Sequence, residues 1–217
     1  MLTFYNIIML VGAYLVGSIP SAVWIGQWLY NTDVREYGSG NAGATNTFRV
    51  LGKKAGIPVL LMDISKGAIA TLFPLFFTDF EVGSTQYINL QLVLGLAALI
   101  GHVFPVFVGF RGGKGIATLL GIVFCVHPVA ALTSLILFLL ILFISRYVSL
   151  SSIIASLGFP IYILAVENSQ VLSLNIFSLF ISLLVVITHQ KNIERLIRKE
   201  ESKIFSKPVE SDAEDED

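Results

Sequence analysis

Long apolar stretches separated by short polar segments dominate this chain and predict membrane-spanning helices. A helix that crosses a bilayer needs about 20 mostly apolar residues. Seven stretches approach this length, at 4–29, 57–77, 88–108, 115–126, 128–145, 149–166 and 171–188. The fourth is short, so five full spans with shorter partial ones is the alternative. The pattern predicts an all-α, polytopic membrane helix bundle with about seven transmembrane helices.

Two of the apolar stretches contain polar interruptions. Gly17 and Pro20 break the first stretch, and the serines beside them either line a polar cavity or accompany a plain kink. The second stretch carries Asp63 and Lys66, whose spacing puts them on one face of a helix. We expect these two residues to pair.

Composition supports a lipid environment. The 217 residues are 55% hydrophobic and 13% charged, with a mean hydropathy of +0.80, whereas a soluble domain carries roughly 25% charged residues. The lone cysteine, Cys125, excludes an intrachain disulfide. The first apolar stretch has no basic flank and no small-residue cleavage site, so we interpret it as a retained span.

The cations lie on one side of the predicted bundle. All 14 Lys and Arg residues fall in or beside the segments 35–66, 111–114, Arg146 and 191–207. The connections 78–87 and 167–170 carry only acidic charge. Cytoplasmic loops are rich in Lys and Arg. The distribution therefore predicts an N-terminus outside, a C-terminus in the cytoplasm, and basic segments that face the cytoplasm.

The first basic segment, 35-REYGSGNAGATNTFRVLGKKAG-56, has the composition of a phosphate-binding loop. Small residues let consecutive backbone N–H groups turn toward one anion. Hydroxyl and amide side chains add donors, and Arg49, Lys53 and Lys54 add positive charge. The alternative is a flexible linker with membrane-surface cations. Two Asn and two Thr in so short a run favour phosphate binding.

The second basic segment, 101-GHVFPVFVGFRGGKGIATLLG-121, places three glycines around Lys114 just before a predicted helix. Backbone N–H groups at a helix start, flexible glycines and a point cation suit a phosphate. The spacing is not that of a Walker A loop, so no ATP site is expected. A tight turn beside a cytoplasmic cation is the alternative.

The third basic segment follows the last span. His189 ends that span, and residues 189–205 predict an amphipathic helix lying on the membrane surface, with Asn192 about one turn from His189. His102 occupies a similar boundary position at the end of the third span. Each histidine binds phosphate, passes a proton, or simply forms hydrogen bonds at the interface.

Residues 1–207 are predicted to form one membrane domain. The acidic end, 208-PVESDAEDED-217, has no apolar periodicity and is expected to be disordered.

Together these segments resemble the acyl-phosphate-dependent glycerol-3-phosphate acyltransferases of bacteria, the PlsY family. The resemblance covers nearly the whole chain and rests on four strings in order, namely GSIPS, GSGNAGATN, GHVFPVFVGFRGGKG and HQKNIERL. The chain departs from the family at Gln190, where Arg is usual, and near Lys199, where Gly is frequent.

The resemblance implies transfer of a fatty acyl group from acyl-phosphate to the sn-1 hydroxyl of glycerol-3-phosphate, the first step of phospholipid synthesis. It implies no cofactor, no metal and no nucleic-acid partner. Membrane lipid and the enzyme that makes acyl-phosphate are the expected partners, at the cytoplasmic face of a bacterial inner membrane. The alternative from the residues is a transporter of a phosphorylated solute, which broken helices and buried charges also suit.

Carried over by position, the implied site has a catalytic and a binding set. The catalytic candidates are Lys114, His102, His189, Ser39 and Asn46. The substrate-binding candidates are Gly38, Gly40, Asn41, Gly43, Thr45, Arg49, Gly112, Gly113, Gly115, Asn192, Ser149 and Ser152. The general base stays open between a histidine and a phosphate oxygen of the donor.

Overall fold

The computed structural model describes residues 4–204, which form eleven α-helices and, within that range, no strand. In chain order these are α1 (Phe4–Gly17), α2 (Ser21–Tyr30), α3 (Ala44–Leu51), α4 (Lys53–Thr71), α5 (Phe73–Phe77), α6 (Thr85–Val103), α7 (Ile116–Val126), α8 (Pro128–Ser145), α9 (Val148–Ile161), α10 (Leu172–Thr188) and α11 (Gln190–Ile197). A π-helical turn, Tyr162–Val166, extends α9. The predicted acidic tail lies outside the described residues.

The all-α membrane architecture is confirmed. Three helical stretches of the described chain are long and apolar enough to cross a membrane: Thr85–Val108, Pro128–Ser145 and Val148–Val166. The pairs α1–α2 and α10–α11, bent by 42° and 58°, raise this number to five if each pair is one span. Seven spans remain a prediction, because α4 contains buried charges and α7 has only 11 residues.

The break between α1 and α2, in the first apolar stretch, packs around the predicted Asp63–Lys66 pair of the second stretch. Lys66 Nζ lies 2.9 Å from Asp63 Oδ1, which confirms that pairing. Lys66 also donates to the carbonyl oxygen of Ile19 at 2.9 Å, and the Ser21 hydroxyl donates to Asp63 at 2.9 Å. The kink between α1 and α2 therefore has buried polar partners that satisfy its exposed backbone.

Glycines bring the helices below the polar loops close together. A Cβ on Gly67 of α4 would lie 2.1 Å from the carbonyl oxygen of Thr118, and one on Gly121 of α7 would lie 2.0 Å from that of Ile64. Only glycine permits such an approach, which is typical of helix contacts in membranes. This reciprocal contact fixes the start of α7 against α4.

Two predicted helices have different bounds. The stretch 57–77 is two helices, because Pro74 has no N–H to continue α4, which ends at Thr71. The amphipathic helix predicted at 189–205 was too long: α11 ends at Ile197, Lys199 adopts a left-handed conformation with φ of 61°, and the chain folds back. The N–H of Ile204 then donates to the carbonyl oxygen of Arg146 at 2.8 Å.

Candidate active site

The first loop is organised by the side chain of Asn46 at the start of α3. Its Nδ2 donates to the carbonyl oxygens of Val34 and Tyr37, at 2.7 and 3.1 Å. Its Oδ1 accepts from the backbone N–H and the hydroxyl of Ser39, at 2.8 and 3.1 Å. All four hydrogen-bonding positions of this buried amide are therefore used to shape the loop, with Gly38 (φ +61°) packed directly against it.

The second loop is tied to the end of α6. The N–H groups of Gly112 and Gly113 donate to the carbonyl oxygens of Val103 and His102, both at 3.2 Å. These two N–H groups are therefore occupied, in contrast to the expectation that they face a phosphate. The helix α7 itself starts at Ile116, after the cap residue Gly115 with a φ of +80°, and the first N–H groups of an α-helix have no acceptor within the helix.

His102 lies beneath this loop rather than in front of it. Its ring Nδ1 is 3.1 Å from the Thr118 hydroxyl and 3.7 Å from Asp63 Oδ1, and the side chain is buried. A Cβ on Gly113 would lie 2.3 Å from His102 Nε2. His102 thus supports the glycine backbone and belongs to the buried polar cluster around Asp63.

The third segment brings a second set of polar groups to Lys114. The Lys114 ammonium donates to Asn192 Oδ1, and Asn192 Nδ2 donates to Glu201 Oε1 at 2.7 Å. Glu201 also accepts from the Ser149 hydroxyl at 2.8 Å and from Arg195 Nε at 2.7 Å. The fold-back after α11 therefore delivers one carboxylate that orients Asn192 toward Lys114.

His189 is buried where α10 meets α11. Its Nδ1 lies 2.8 Å from the carbonyl oxygen of Val185. A carbonyl oxygen only accepts, so Nδ1 carries the proton and Nε2 of the neutral ring holds the lone pair.

The three segments meet in one open polar cleft of about 420 Å³. Its lining residues are Ser39, Gly40, Asn41, Val103, Phe110, Arg111, Gly112, Gly113, Lys114, Thr188, Lys191, Asn192 and Arg195. Four of them are cationic, so the cleft is suited to bind anions.

Burial and charge alter two groups at this cleft. Burial, together with the nearby cations Arg195 and Arg49, lowers the pKa of Lys114 to about 8, although Glu201 acts in the opposite direction. Burial acts to raise the pKa of Glu201, but the hydrogen bonds from Arg195, Asn192 and Ser149 outweigh it and lower that pKa. The site thus contains a carboxylate and an ammonium with reduced affinity for its proton.

The predicted site residues fall into three groups. Seven line the cleft: Ser39, Gly40, Asn41, Gly112, Gly113, Lys114 and Asn192. Eight others do not line it: Gly38, Gly43, Asn46, His102, Gly115, Ser149, Ser152 and His189. Thr45 and Arg49 are exposed on α3 and do not line the cleft. The Ser152 hydroxyl donates to the carbonyl oxygen of Val148, one helical turn back.

Sequence reasoning missed four residues. Arg111, Lys191 and Arg195 line the cleft. The clustering of Lys and Arg in their segments, which also predicted the orientation in the membrane, could have identified them. Glu201 had no such signal, because its role depends on the fold-back. Within residues 4–204, no three His, Cys, Asp or Glu side chains come together as metal ligands.

Comparison with known proteins connects this arrangement to one family. The family model described as glycerol-3-phosphate acyltransferase matches residues 7–199. The chain belongs to the glycerol-3-phosphate acyltransferase family.

Relatives of this family match over nearly their whole length. A glycerol-3-phosphate acyltransferase of Listeria welshimeri is 48% identical over 192 residues, covering 88% of this chain and 93% of its own. One from Chlorobium phaeobacteroides is 41% identical over 228 residues, covering 93% and 97%.

Solved structures of a family member share the fold. The integral membrane glycerol 3-phosphate acyltransferase PlsY, in its glycerol 3-phosphate form, superimposes with a TM-score of 0.81 at 37% identity, covering 91% of this chain and 94% of that one. Its lysophosphatidic acid form gives a TM-score of 0.77 at 36% identity, with the same coverage.

Proposed function

We propose that this glycerol-3-phosphate acyltransferase takes its acyl group from acyl-phosphate and transfers it to the sn-1 hydroxyl of glycerol-3-phosphate. The observation that carries the proposal is the convergence of three basic segments on one cleft with four cations, beside lipid-facing apolar helices. Both proposed substrates carry a phosphate, and one carries an acyl chain. A cationic cleft at a lipid boundary is the site that such a pair requires.

In the reaction, the sn-1 oxygen forms an ester bond to the acyl carbon, and the bond between that carbon and the phosphate oxygen breaks. Phosphate leaves with the bonding electron pair, and the hydroxyl proton passes to a base. The products are lysophosphatidic acid and inorganic phosphate. Holding both substrates in one cleft supplies much of the rate through orientation.

Lys114 and the first turn of α7 are the proposed donors to the acyl-phosphate, with Ser39 and Asn41 across the cleft. Arg111, Lys191 and Arg195 supply further positive charge for glycerol-3-phosphate, and exposed Arg49 adds charge at long range. These cations would stabilise negative charge on the tetrahedral oxyanion and on the leaving phosphate. Asn46 and Glu201 position the groups to which they are hydrogen-bonded and are not proposed to contact a substrate themselves.

Two candidates exist for the base: a histidine and a phosphate oxygen of the donor. His189 is the better-placed histidine, because its Nε2 carries the lone pair and the ring adjoins the segment that holds Lys114. His102 is covered by Gly113. We expect His102→Gln and His189→Gln variants to separate these options. Near-normal turnover in both would rule out a histidine base.

The proposed cleft faces the cytoplasm of a bacterial inner membrane. Support comes from the charge distribution, because the cleft cations belong to the basic segments that the positive-inside rule assigns to the cytoplasm.

The direct test uses purified protein in detergent. We expect it to release phosphate from palmitoyl phosphate only when glycerol-3-phosphate is present. No release, together with uptake of glycerol-3-phosphate into vesicles that contain the protein, would instead favour a transporter.

A further inference from the structure

An ion pair lies just before the first loop, between residues that do not line the cleft. Asp33 precedes a short 3-10 helix, Val34–Glu36, that contains Arg35. The guanidinium Nε and Nη2 of Arg35 donate to the Asp33 carboxylate at 3.0 and 2.7 Å, and each side chain is only 16% exposed. The backbone between the two is fixed, because the Val34 side chain is fully buried and its carbonyl oxygen accepts from Asn46.

Arg35 also joins the first loop to the second. Its Nη1 donates to the carbonyl oxygen of Val108 at 2.9 Å. Val108 belongs to a turn in which its own N–H and that of Phe110 donate to the carbonyl oxygen of Pro105, at 3.4 and 2.9 Å. One guanidinium makes all these contacts because its five N–H groups point in fixed directions in one plane, which a lysine ammonium cannot reproduce.

The turn that Arg35 holds leads into Arg111, which lines the cleft. The residue before it, Phe110, has a φ of +59°, and a bulky side chain rarely adopts this left-handed conformation. Such a backbone persists only where surrounding contacts impose it. The hydrogen bond from Arg35 lies on one side of Arg111, and the bond from the Gly112 N–H to Val103 lies on the other. Together they fix the backbone from which the Arg111 side chain extends.

Asp33 is close enough to Arg111 to attract it. The hydrogen bond from the Arg35 side chain lowers the pKa of Asp33, burial acts to raise it, and the charges of Arg35 and Arg111 lower it further. In the described part of the chain, Asp33 forms its ion pair with Arg35 and not with Arg111. A largely buried carboxylate that lost Arg35 would require another cation, because an unpaired buried charge is costly.

We infer that Arg35 is a positioning residue that keeps Arg111 directed into the cleft. It occupies the carboxylate of Asp33, which would otherwise draw Arg111 away, and it holds the turn from which Arg111 extends. Arg35 itself does not line the cleft. The inference rests on the proposed function, in which Arg111 supplies positive charge for glycerol-3-phosphate.

Loss of Arg35 should weaken the binding of glycerol-3-phosphate and spare the chemical step. At saturating palmitoyl phosphate, we expect Arg35→Gln to raise KM for glycerol-3-phosphate about tenfold and to leave kcat within about threefold of wild type. Arg35→Lys keeps the charge but not the planar fork, so its KM should lie between those of wild type and Arg35→Gln. The control Arg198→Gln removes the same charge from an exposed ion pair with Glu194 and should leave KM near the wild-type value.

A second substitution distinguishes positioning from a general loss of structure. The double variant Asp33→Asn/Arg35→Gln lacks the carboxylate that would attract Arg111, so its KM should be at least about threefold lower than that of Arg35→Gln. A loop that is merely damaged would be damaged further by the second change. A double variant whose KM equals or exceeds that of Arg35→Gln would therefore overturn the inference.

The milder variant tests the same route if Arg35→Gln does not fold. Because Arg35 acts through Arg111, adding Arg35→Lys to Arg111→Gln should leave KM for glycerol-3-phosphate within about twofold of that of Arg111→Gln alone. A further increase of the same size as Arg35→Lys causes in wild type would show that Arg35 acts independently of Arg111, contrary to the inference.

Binding without a donor separates this inference from the proposed function. Titration calorimetry gives the Kd of glycerol-3-phosphate for the full chain in detergent, and the variants should follow the same order in Kd as in KM. Wild type that binds glycerol-3-phosphate but transfers no acyl group from palmitoyl phosphate would contradict the proposed donor alone. An equal Kd in wild type and Arg35→Gln would overturn the role of Arg35 whatever the donor.

Discussion

The lowered pKa of Lys114 should make the proposed acyl transfer sensitive to alkaline pH. An ordinary lysine has a pKa of 10.5, whereas burial and two neighbouring arginines lower that of Lys114 to about 8. In the proposed site, the cationic form of Lys114 is the one that binds phosphate. Because the pKa in the folded protein is lowered, this charge is lost as the pH rises through about 8 rather than above 10.

The expected size of the pH effect on kcat/KM follows from the fraction of Lys114 that is charged. With a pKa of about 8, about nine-tenths of the ammonium is charged at pH 7 and about one-tenth at pH 9. Because kcat/KM reports the ionisation of the free enzyme, its value for palmitoyl phosphate should fall about tenfold per pH unit above pH 8. Lys114→Arg keeps its charge throughout this range, so its profile should be flat there even if its activity is lower.

The assay is the initial rate of phosphate release at saturating glycerol-3-phosphate, from pH 6.5 to 9.5 in steps of about half a unit, since ionisation changes by about tenfold per unit. A blank without enzyme corrects for spontaneous hydrolysis of the donor. If Lys114→Arg and wild type lose activity with the same slope, the titrating group is not Lys114, and its assignment as the charge that binds the donor is wrong.

Three further substitutions have defined outcomes. Gly112→Ala places a Cβ 1.9 Å from a carbonyl oxygen of α6, so the loop must move by about an ångström, and kcat/KM should fall about 100-fold. The control is Gly12→Ala, whose Cβ would lie 3.3 Å from its nearest neighbour and which should stay near wild type in kcat/KM. Glu201→Gln removes the charge paired with Arg195, so thermal unfolding should show a loss of about 1–3 kcal/mol; an unchanged melting temperature would contradict the fold-back. Asn46→Ala leaves several loop groups without partners and should cost about 1–3 kcal/mol in stability together with most of the activity; full activity would show that the first loop is held in another way.

The helices could be predicted because membrane spans are set by local sequence. Apolar runs of the required length mark them, and Pro128 marks the boundary between α7 and α8. The pairing of Asp63 with Lys66 was predictable for the same reason, since one helix turn joins them. The close approach of Gly67 to Thr118 was not, because it depends on which helices meet.

The three segments that form the candidate site were predicted from the sequence, but the roles of the individual residues were not. Asn41 and Asn46 are the same residue type in the same loop, yet Asn41 lines the cleft while Asn46 uses its whole amide to hold the backbone. Glycine content indicated a phosphate loop at 112–115, but tertiary contacts decide which N–H groups stay available. Glu201 reaches its partners only because the chain reverses after α11. The amphipathic pattern predicted a continuous helix there and therefore did not indicate this turn.

Product analysis with matched donors tests the central claim most directly. Purified protein is given radiolabelled glycerol-3-phosphate with palmitoyl phosphate, palmitoyl-CoA or palmitoyl-acyl carrier protein, and lysophosphatidic acid and phosphate are measured together. We predict one phosphate per lysophosphatidic acid acylated at the sn-1 position, with palmitoyl phosphate as the productive donor. Lysophosphatidic acid formed as rapidly from either thioester, or phosphate released without any acylated product, would contradict the account.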